Sequence, residues 1–239
     1  MKTTQSLIKD ILPEDFCPHY IHLKYNVGAR TEPTEAMKNG LFFESELLGS
    51  ARGGKFEMPK NKKGEPYKRE LDILENVEYA KEIFKELNIK IDSVQPRVEQ
   101  YNRAGHLDAL GTIDGKPVII DVKWTGMAKD KFTREYRYNL KTDYEIQARH
   151  YQSLGKELDF VFLIFGKSNW FEGIVFPYEQ EEVEKHITEY SDVATAKYDN
   201  LESYDFNPNF DKCQTCRLKD LCKKKITKPT LRHYKDFEN

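Results

Sequence analysis

Residues 105–123 read Gly105-His106-Leu107-Asp108-Ala109-Leu110-Gly111-Thr112-Ile113-Asp114-Gly115-Lys116-Pro117-Val118-Ile119-Ile120-Asp121-Val122-Lys123. Asp114-Gly115 is a strong two-residue hairpin turn. The runs on either side, His106 to Ile113 and Pro117 to Trp124, have the length and composition of strands. Side chains alternate faces along a strand, so Asp121 and Lys123 share one face and Val122 points the other way. Counted outward from the turn, Asp108 and Asp121 each lie six residues away and face each other directly. Two opposed carboxylates repel unless a counter-charge lies between them. A divalent cation supplies it, and carboxylate oxygens are what Mg²⁺ or Mn²⁺ prefers. Such an ion lowers the pKa of a bound water and polarises a phosphate oxygen. Lys123, beside that water, is placed to offset transition-state charge. A surface hairpin with a simple Asp–Lys ion pair stays open on these residues alone. Against it, both charges follow the apolar run Val118-Ile119-Ile120, as in a strand covered on both faces, where charges need a reason.

Outward from the hairpin, Ser93 to Tyr101 reads as a preceding strand, giving three antiparallel-looking strands. Residues 125–139 are polar and basic and read as a loop. Leu140 to Leu154 is helical and stops at Gly155. Leu158 to Phe165 and Trp170 to Phe176 are two further strands, and Glu179 to Tyr198 is a long charged helix. Upstream, residues 34–49 are predicted helical, with Met37, Leu41, Glu44, Leu47 and Leu48 near one face, and a second helix runs from about Leu71 to Leu87. Residues 50–69 read as a loop, and residues 3–25 as short helical pieces broken at Pro13 and Pro18. The order predicts an α/β protein with a small mixed sheet flanked by helices.

The chain has 239 residues, enough for one large domain with an appended lobe. A net charge of −2 gives no global basic signature, so a nucleic-acid partner would need local patches. The longest apolar run, Phe160 to Phe165, is far short of a membrane span. Residues 1–12 lack a secretory core. The expectation is a cytoplasmic protein of bacterial, archaeal or phage origin with no membrane partner.

Taken together, Gly-x-x-Asp and Asp-x-Lys at these positions resemble the core of PD-(D/E)XK nucleases. Gln147-Ala148-Arg149-His150-Tyr151 resembles the Gln-x-x-x-Tyr of the RecB-like branch. Its two polar residues share one helical face, although Tyr144, Ala148 and Tyr151 alone read as a core stripe. Gly40-Leu41-Phe42-Phe43-Glu44 resembles the upstream motif whose last residue reaches the metal, with Glu where the CRISPR-adaptation branch often has His. Glu99 resembles a further family position. The resemblance implies a restriction-endonuclease-like fold, with Asp108, Asp121, Lys123, Gln147 and Tyr151 catalytic. It also implies Mg²⁺ or Mn²⁺ held at Glu44, Asp108, Asp121 and Val122.

Cys213-x-x-Cys216, five more residues and Cys222 form a compact set in a lysine-rich tail. A soft metal centre needs four ligands, and the remaining cysteine is Cys17. Spacing leaves zinc and iron–sulfur both open. One cysteine before the nuclease core and three after it resemble the arrangement in RecB-like nucleases of the CRISPR-adaptation (Cas4) type, which implies a 4Fe–4S cluster, with zinc as the lesser alternative. The predicted organisation is a single nuclease domain over 1–239, with its core at about 34–200 and a cysteine-cluster lobe from 1–33 and 205–239.

Three basic segments, Lys55 to Arg69, Lys123 to Arg137 and Lys212 to Lys225, suit a DNA backbone. The resemblance therefore implies a metal-dependent exonuclease on single-stranded or frayed DNA. It would serve CRISPR adaptation or phage or host recombination and repair, alone or with a protein partner in a larger complex. The alternative class is a non-catalytic cysteine-cluster DNA-binding protein. No G-x-x-x-x-G-K-[ST] phosphate loop and no G-x-S-x-G elbow occurs.

Overall fold

The computed structural model describes residues 2–51, 56, 58, 62–204 and 210–222, with side chains from 213 in the last stretch. Two compact units are present, one from residues 2–9 and Pro33–Thr195, the other from Asp10–Glu32 and the described residues from Ala196 onward.

The first unit holds a five-stranded sheet in the order β1-β4-β5-β6-β7. Its strands are β1 (Ile89–Val94), β4 (Ala109–Ile113), β5 (Lys116–Thr125), β6 (Asp159–Gly166) and β7 (Trp170–Phe176). Between β1 and β4 the chain makes a separate two-stranded hairpin, β2 (Arg97–Gln100) and β3 (Arg103–His106). The β4–β5 turn is as expected. Asp114 and Gly115 have φ of 49° and 78°, the left-handed pair a type I′ turn requires. Ala109 pairs with Ile120 and Ile113 with Lys116, so one more step of that register sets Asp108 against Asp121. β5 and β6 are parallel, and the other neighbours antiparallel, which makes the sheet mixed.

Alternation along β5 and β6 divides the core in two. Val118, Ile120, Val122, Val161, Leu163 and Phe165 face one apolar cluster, with Phe42, Phe43, Ile73 and Val77. These come from α3 (Glu35–Leu48) and α4 (Lys68–Glu86). Ile119, Phe160, Phe162 and Ile164 face the other cluster, with Phe132 and Ala148 from α5 (Lys129–Glu135) and α6 (Lys141–Gln152). α7 (Gln180–His186) and α8 (Asp192–Asp199) follow β7, joined by a π-helical turn at Ile187–Ser191.

Three expectations need correction. The run Ser93 to Tyr101 is not one strand. β1 ends at Val94, and Gln95, with φ 54°, breaks the chain out of the sheet before β2 begins. Residues 125–139 are not a loop but contain α5 and a following π-helical turn, because Phe132 is a buried anchor that the charged surroundings conceal. On α3 Glu44 is buried and Leu47 and Leu48 pack against the core as expected, but Met37 is exposed and Asn39, Phe42, Phe43 and Ser45 are buried in addition.

The second unit contains α2 (Pro18–Ile21), a π-helical turn His22–Asn26 and α9 (Phe210–Thr215). Among the described residues no helix is long and apolar enough to cross a membrane.

Candidate active site

The β-hairpin and α6 bring the predicted polar residues together. Asp121 lies on the α6-facing side of β5 and is 2% exposed. Gln147 Nε2 donates to its Oδ1 at 2.6 Å. Lys123 Nζ lies 2.5 Å from its Oδ2, an oxygen that is buried and has no aligned hydrogen-bond donor. Asp108, just before β4, accepts from the Val122 N–H at 2.9 Å through Oδ2. That bond ties the first acidic residue to the strand carrying the second. Val122 itself turns its side chain into the core, so any part it takes in holding an ion would be through its main chain.

Electrostatics at this cluster are set by burial. Burial, and then the Asp108 carboxylate, push the Asp121 carboxyl up to about 7, against the pull of Lys123 and Gln147. Burial alone would depress the Lys123 ammonium, but Asp121 and Asp108 outweigh it and hold it protonated above its usual value. The ammonium also lies 5.8 Å from the centre of the Phe162 ring.

Tyr151, one helical turn after Gln147, stacks on Phe160 with centroids 5.7 Å apart. Its phenol is near enough to act on the Lys123 ammonium. Gly105 makes room for it. A Cβ there would meet Tyr151 Cε1 at 2.6 Å, which explains why the Gly-x-x-Asp element begins with glycine. Glu44 is buried on α3 and accepts from Gln95 Nε2. Gln95 also donates its backbone N–H to the Asp108 carbonyl at 2.9 Å, linking α3 to the hairpin. Sequence reasoning missed Gln95; a non-glycine residue in the left-handed region leaves no trace in composition. Glu99 stays apart, on the β2–β3 hairpin, paired with Lys2 and Arg97.

Among the described residues, no three His, Cys, Asp or Glu side chains converge tightly enough to hold an ion as they stand. The acidic cluster nonetheless has the chemistry of a hard-cation site. Its two carboxylates, those of Asp108 and Asp121, are close enough to repel each other, and oxygen donors are what a hard cation takes. Asp108 and Asp121 fit that role, with Glu44 connected to them through Gln95.

The four cysteines are free, half-buried thiols of the second unit. Cys17 caps α2, its Sγ accepting from Tyr20 N–H at 3.4 Å. Burial pushes the Cys17 thiol up, N–H groups of Tyr20 and His19 pull it down, and Cys216 and Cys222 lie near enough to raise it further. Thiols gathered near one another suit a soft cation, which relieves the repulsion between their thiolates. The basic tail beyond Cys222 and most of the segment 52–61 lie outside the described residues.

A five-stranded mixed sheet flanked by helices, with polar groups gathered where the central hairpin meets α6, defines the class as a restriction-endonuclease-like α/β fold. No protein-family model matches the sequence, and no curated protein matches it. Solved structures do. A presumed exonuclease from Eubacterium rectale superimposes with a TM-score of 0.66 at 18% identity, over 96% of this chain and 91% of that one. An alkaline exonuclease from Laribacter hongkongensis, LHK-Exo, gives 0.51 at 11% identity over 84% and 92%. The same enzyme in complex with dAMP gives 0.53 at 12% identity over 91% and 94%. What this chain shares with them is the fold.

Proposed function

We propose that this chain is a Mg²⁺- or Mn²⁺-dependent deoxyribonuclease of the PD-(D/E)XK, RecB-like kind, cutting single-stranded or frayed DNA from an end. One observation carries the reading: a fully buried carboxylate, Asp121, with Asp108 opposite, Lys123 on one oxygen and Gln147 on the other. A structural ion pair has no need of the second carboxylate, which only raises its cost. That the fold is shared with proteins described as exonucleases is consistent with this chemistry.

In this reading Asp108 and Asp121 hold the ion, with Glu44 and the Val122 main chain completing the set. When bound, the ion supplies charge neutralisation at the phosphate and a more acidic water. Lys123, kept protonated by its two acidic neighbours, faces the charge that develops on the phosphate. Gln147 fixes the orientation of Asp121, and Tyr151 packs against the glycine that precedes Asp108. The substrate is DNA with a free end, and the pathway is CRISPR adaptation or phage or host recombination and repair, with room for a protein partner. Incubation with end-labelled single- and double-stranded DNA tests this: cleavage is expected with Mg²⁺ or Mn²⁺ and none with EDTA. Metal-independent cleavage, or none under any condition, rejects it.

Cys17, Cys213, Cys216 and Cys222 are proposed to hold a 4Fe–4S cluster, or zinc, as a structural clamp within the second unit. Cys216→Ser is expected to bleach the visible absorbance and lower thermal stability. A colourless, zinc-containing native protein would reject the iron–sulfur form.

A further inference from the structure

β5 carries a second set of polar groups on the face opposite Asp121 and Lys123. Trp124 belongs to the side of the strand that packs on α3 and α4. It lines a cleft of about 500 Å³ together with Asn39, Lys68, Arg69, Asp72 and Lys167. That volume lies in the range of about 300–1,000 Å³ usual for small-ligand sites. Three cations face one carboxylate there. Arg69 is paired with Glu35 at 2.7 Å, whereas Lys68 and Lys167 have no ion pair among the described residues. Lys68 is also the first residue of the 19-residue α4, whose start has no side-chain cap. The indole is anchored by its Nε1, which donates to Asn76 Oδ1 at 2.8 Å, so the ring is held in position before anything binds. Asn39, which lines the cleft and is buried, has a side-chain carbonyl with no hydrogen-bond donor among the described residues.

A fixed aromatic plane beside two lysines without an ion pair among the described residues, at a helix start, is the combination that holds a nucleotide, base on the ring and phosphate on the cations. We infer that this cleft is a second DNA subsite, which takes one unpaired nucleotide of a single strand as it passes the end of β5. The inference rests on the nuclease reading and adds to it a position that favours unpaired over duplex DNA, because a stacked and paired base cannot reach the indole. Trp124 and Lys123 are adjacent on one strand and point to opposite faces. The nucleotide is therefore held at the same strand end as the candidate site without occupying it.

The test uses the full chain carrying Asp121→Asn, so that binding is read without cleavage. A fluorescein-labelled oligothymidylate is titrated by anisotropy in EDTA. Against this parent, Trp124→Ala is expected to weaken binding about tenfold, and Trp124→Phe much less because a ring remains. Lys68→Ala with Lys167→Ala, on the surface and away from the core, is expected to weaken it about tenfold. That pair should also lower the slope of log affinity against log salt by about 1 to 2. Unchanged affinity and salt slope in the lysine pair would overturn the subsite while leaving the nuclease reading intact. A parent that fails to bind the single strand at all would overturn both.

Discussion

Asp121 puts an ionisable carboxyl where the sheet can least accommodate charge. Its carboxyl is raised because burial and Asp108 together outweigh Lys123 and Gln147, so its ionised form weakens the fold in exchange for a site. The sign follows: a folded value above the unfolded one means stability is lost as pH rises from the usual carboxylate range towards about 7. Asp121→Asn keeps the shape and removes the charge. It is expected to abolish cleavage yet raise Tm by about 2–4 °C at mildly alkaline pH, as about 1 kcal/mol would in a chain of this size. Differential scanning fluorimetry in EDTA checks this, and a clear fall in Tm would show that the Lys123 contact outweighs the repulsion. Tyr151 depends on the space Gly105 leaves. Gly105→Ala forces the ring aside and is expected to cost about 1–3 kcal/mol in urea unfolding.

At the scale of elements, the central hairpin was the most legible part of the sequence. A two-residue Asp-Gly turn fixes the register, and register alone puts Asp108 opposite Asp121. Gln147 was legible only through its resemblance to the Gln-x-x-x-Tyr pattern, because the helix's own periodicity describes a core stripe of Tyr144, Ala148 and Tyr151; in the fold its amide meets Asp121. Other elements were hidden for physical reasons. α5 carries five charged residues in seven, so its one anchor, Phe132, is lost in a polar context. On α3 the predicted stripe included Leu47 and Leu48, which do pack on the core, but not Phe42 and Phe43, which are buried deepest in it. The bend at Gln95, which carries the bond to Glu44, has no glycine or asparagine to announce it. The β6–β7 connection is constrained more than its sequence suggests. A Cβ on Gly166 would lie 1.9 Å from the Trp170 ring, its partner across the two strands. That indole is held by a 2.9 Å bond from Nε1 to the Met127 carbonyl, so it cannot yield. Gly166→Ala is expected to destabilise by about 3 kcal/mol or more, measured by urea unfolding; a wild-type midpoint would contradict the close packing.

Across the whole first unit, a buried histidine pair couples stability to pH. His150 and His186 sit with ring centroids 6.1 Å apart, and each has one ring nitrogen without a hydrogen-bond partner among the described residues. Burial, reinforced by Arg103, lowers His150 to about 4; burial, then His150 and the arginines, lowers His186 to about 3. Both folded values lie below the unfolded one near 6.5. Stability from this pair is therefore complete above about pH 6.5 and is lost as pH falls, by about 1.4 kcal/mol per pH unit for each ring. Urea midpoints should drop between about pH 7 and about pH 5, and His186→Phe should flatten that drop. An equal slope in the variant would show that other groups dominate.

The central claim is that groups from one hairpin and one helix converge to cut a phosphodiester. Its most direct measurement is the Mn²⁺-dependent cleavage rate of end-labelled single-stranded DNA by the wild-type chain, Lys123→Ala and Asp108→Ala, each checked for folding by circular dichroism. The predicted result is folded variants slower by about a hundredfold or more. A folded Lys123→Ala or Asp108→Ala that cuts at the wild-type rate would contradict it.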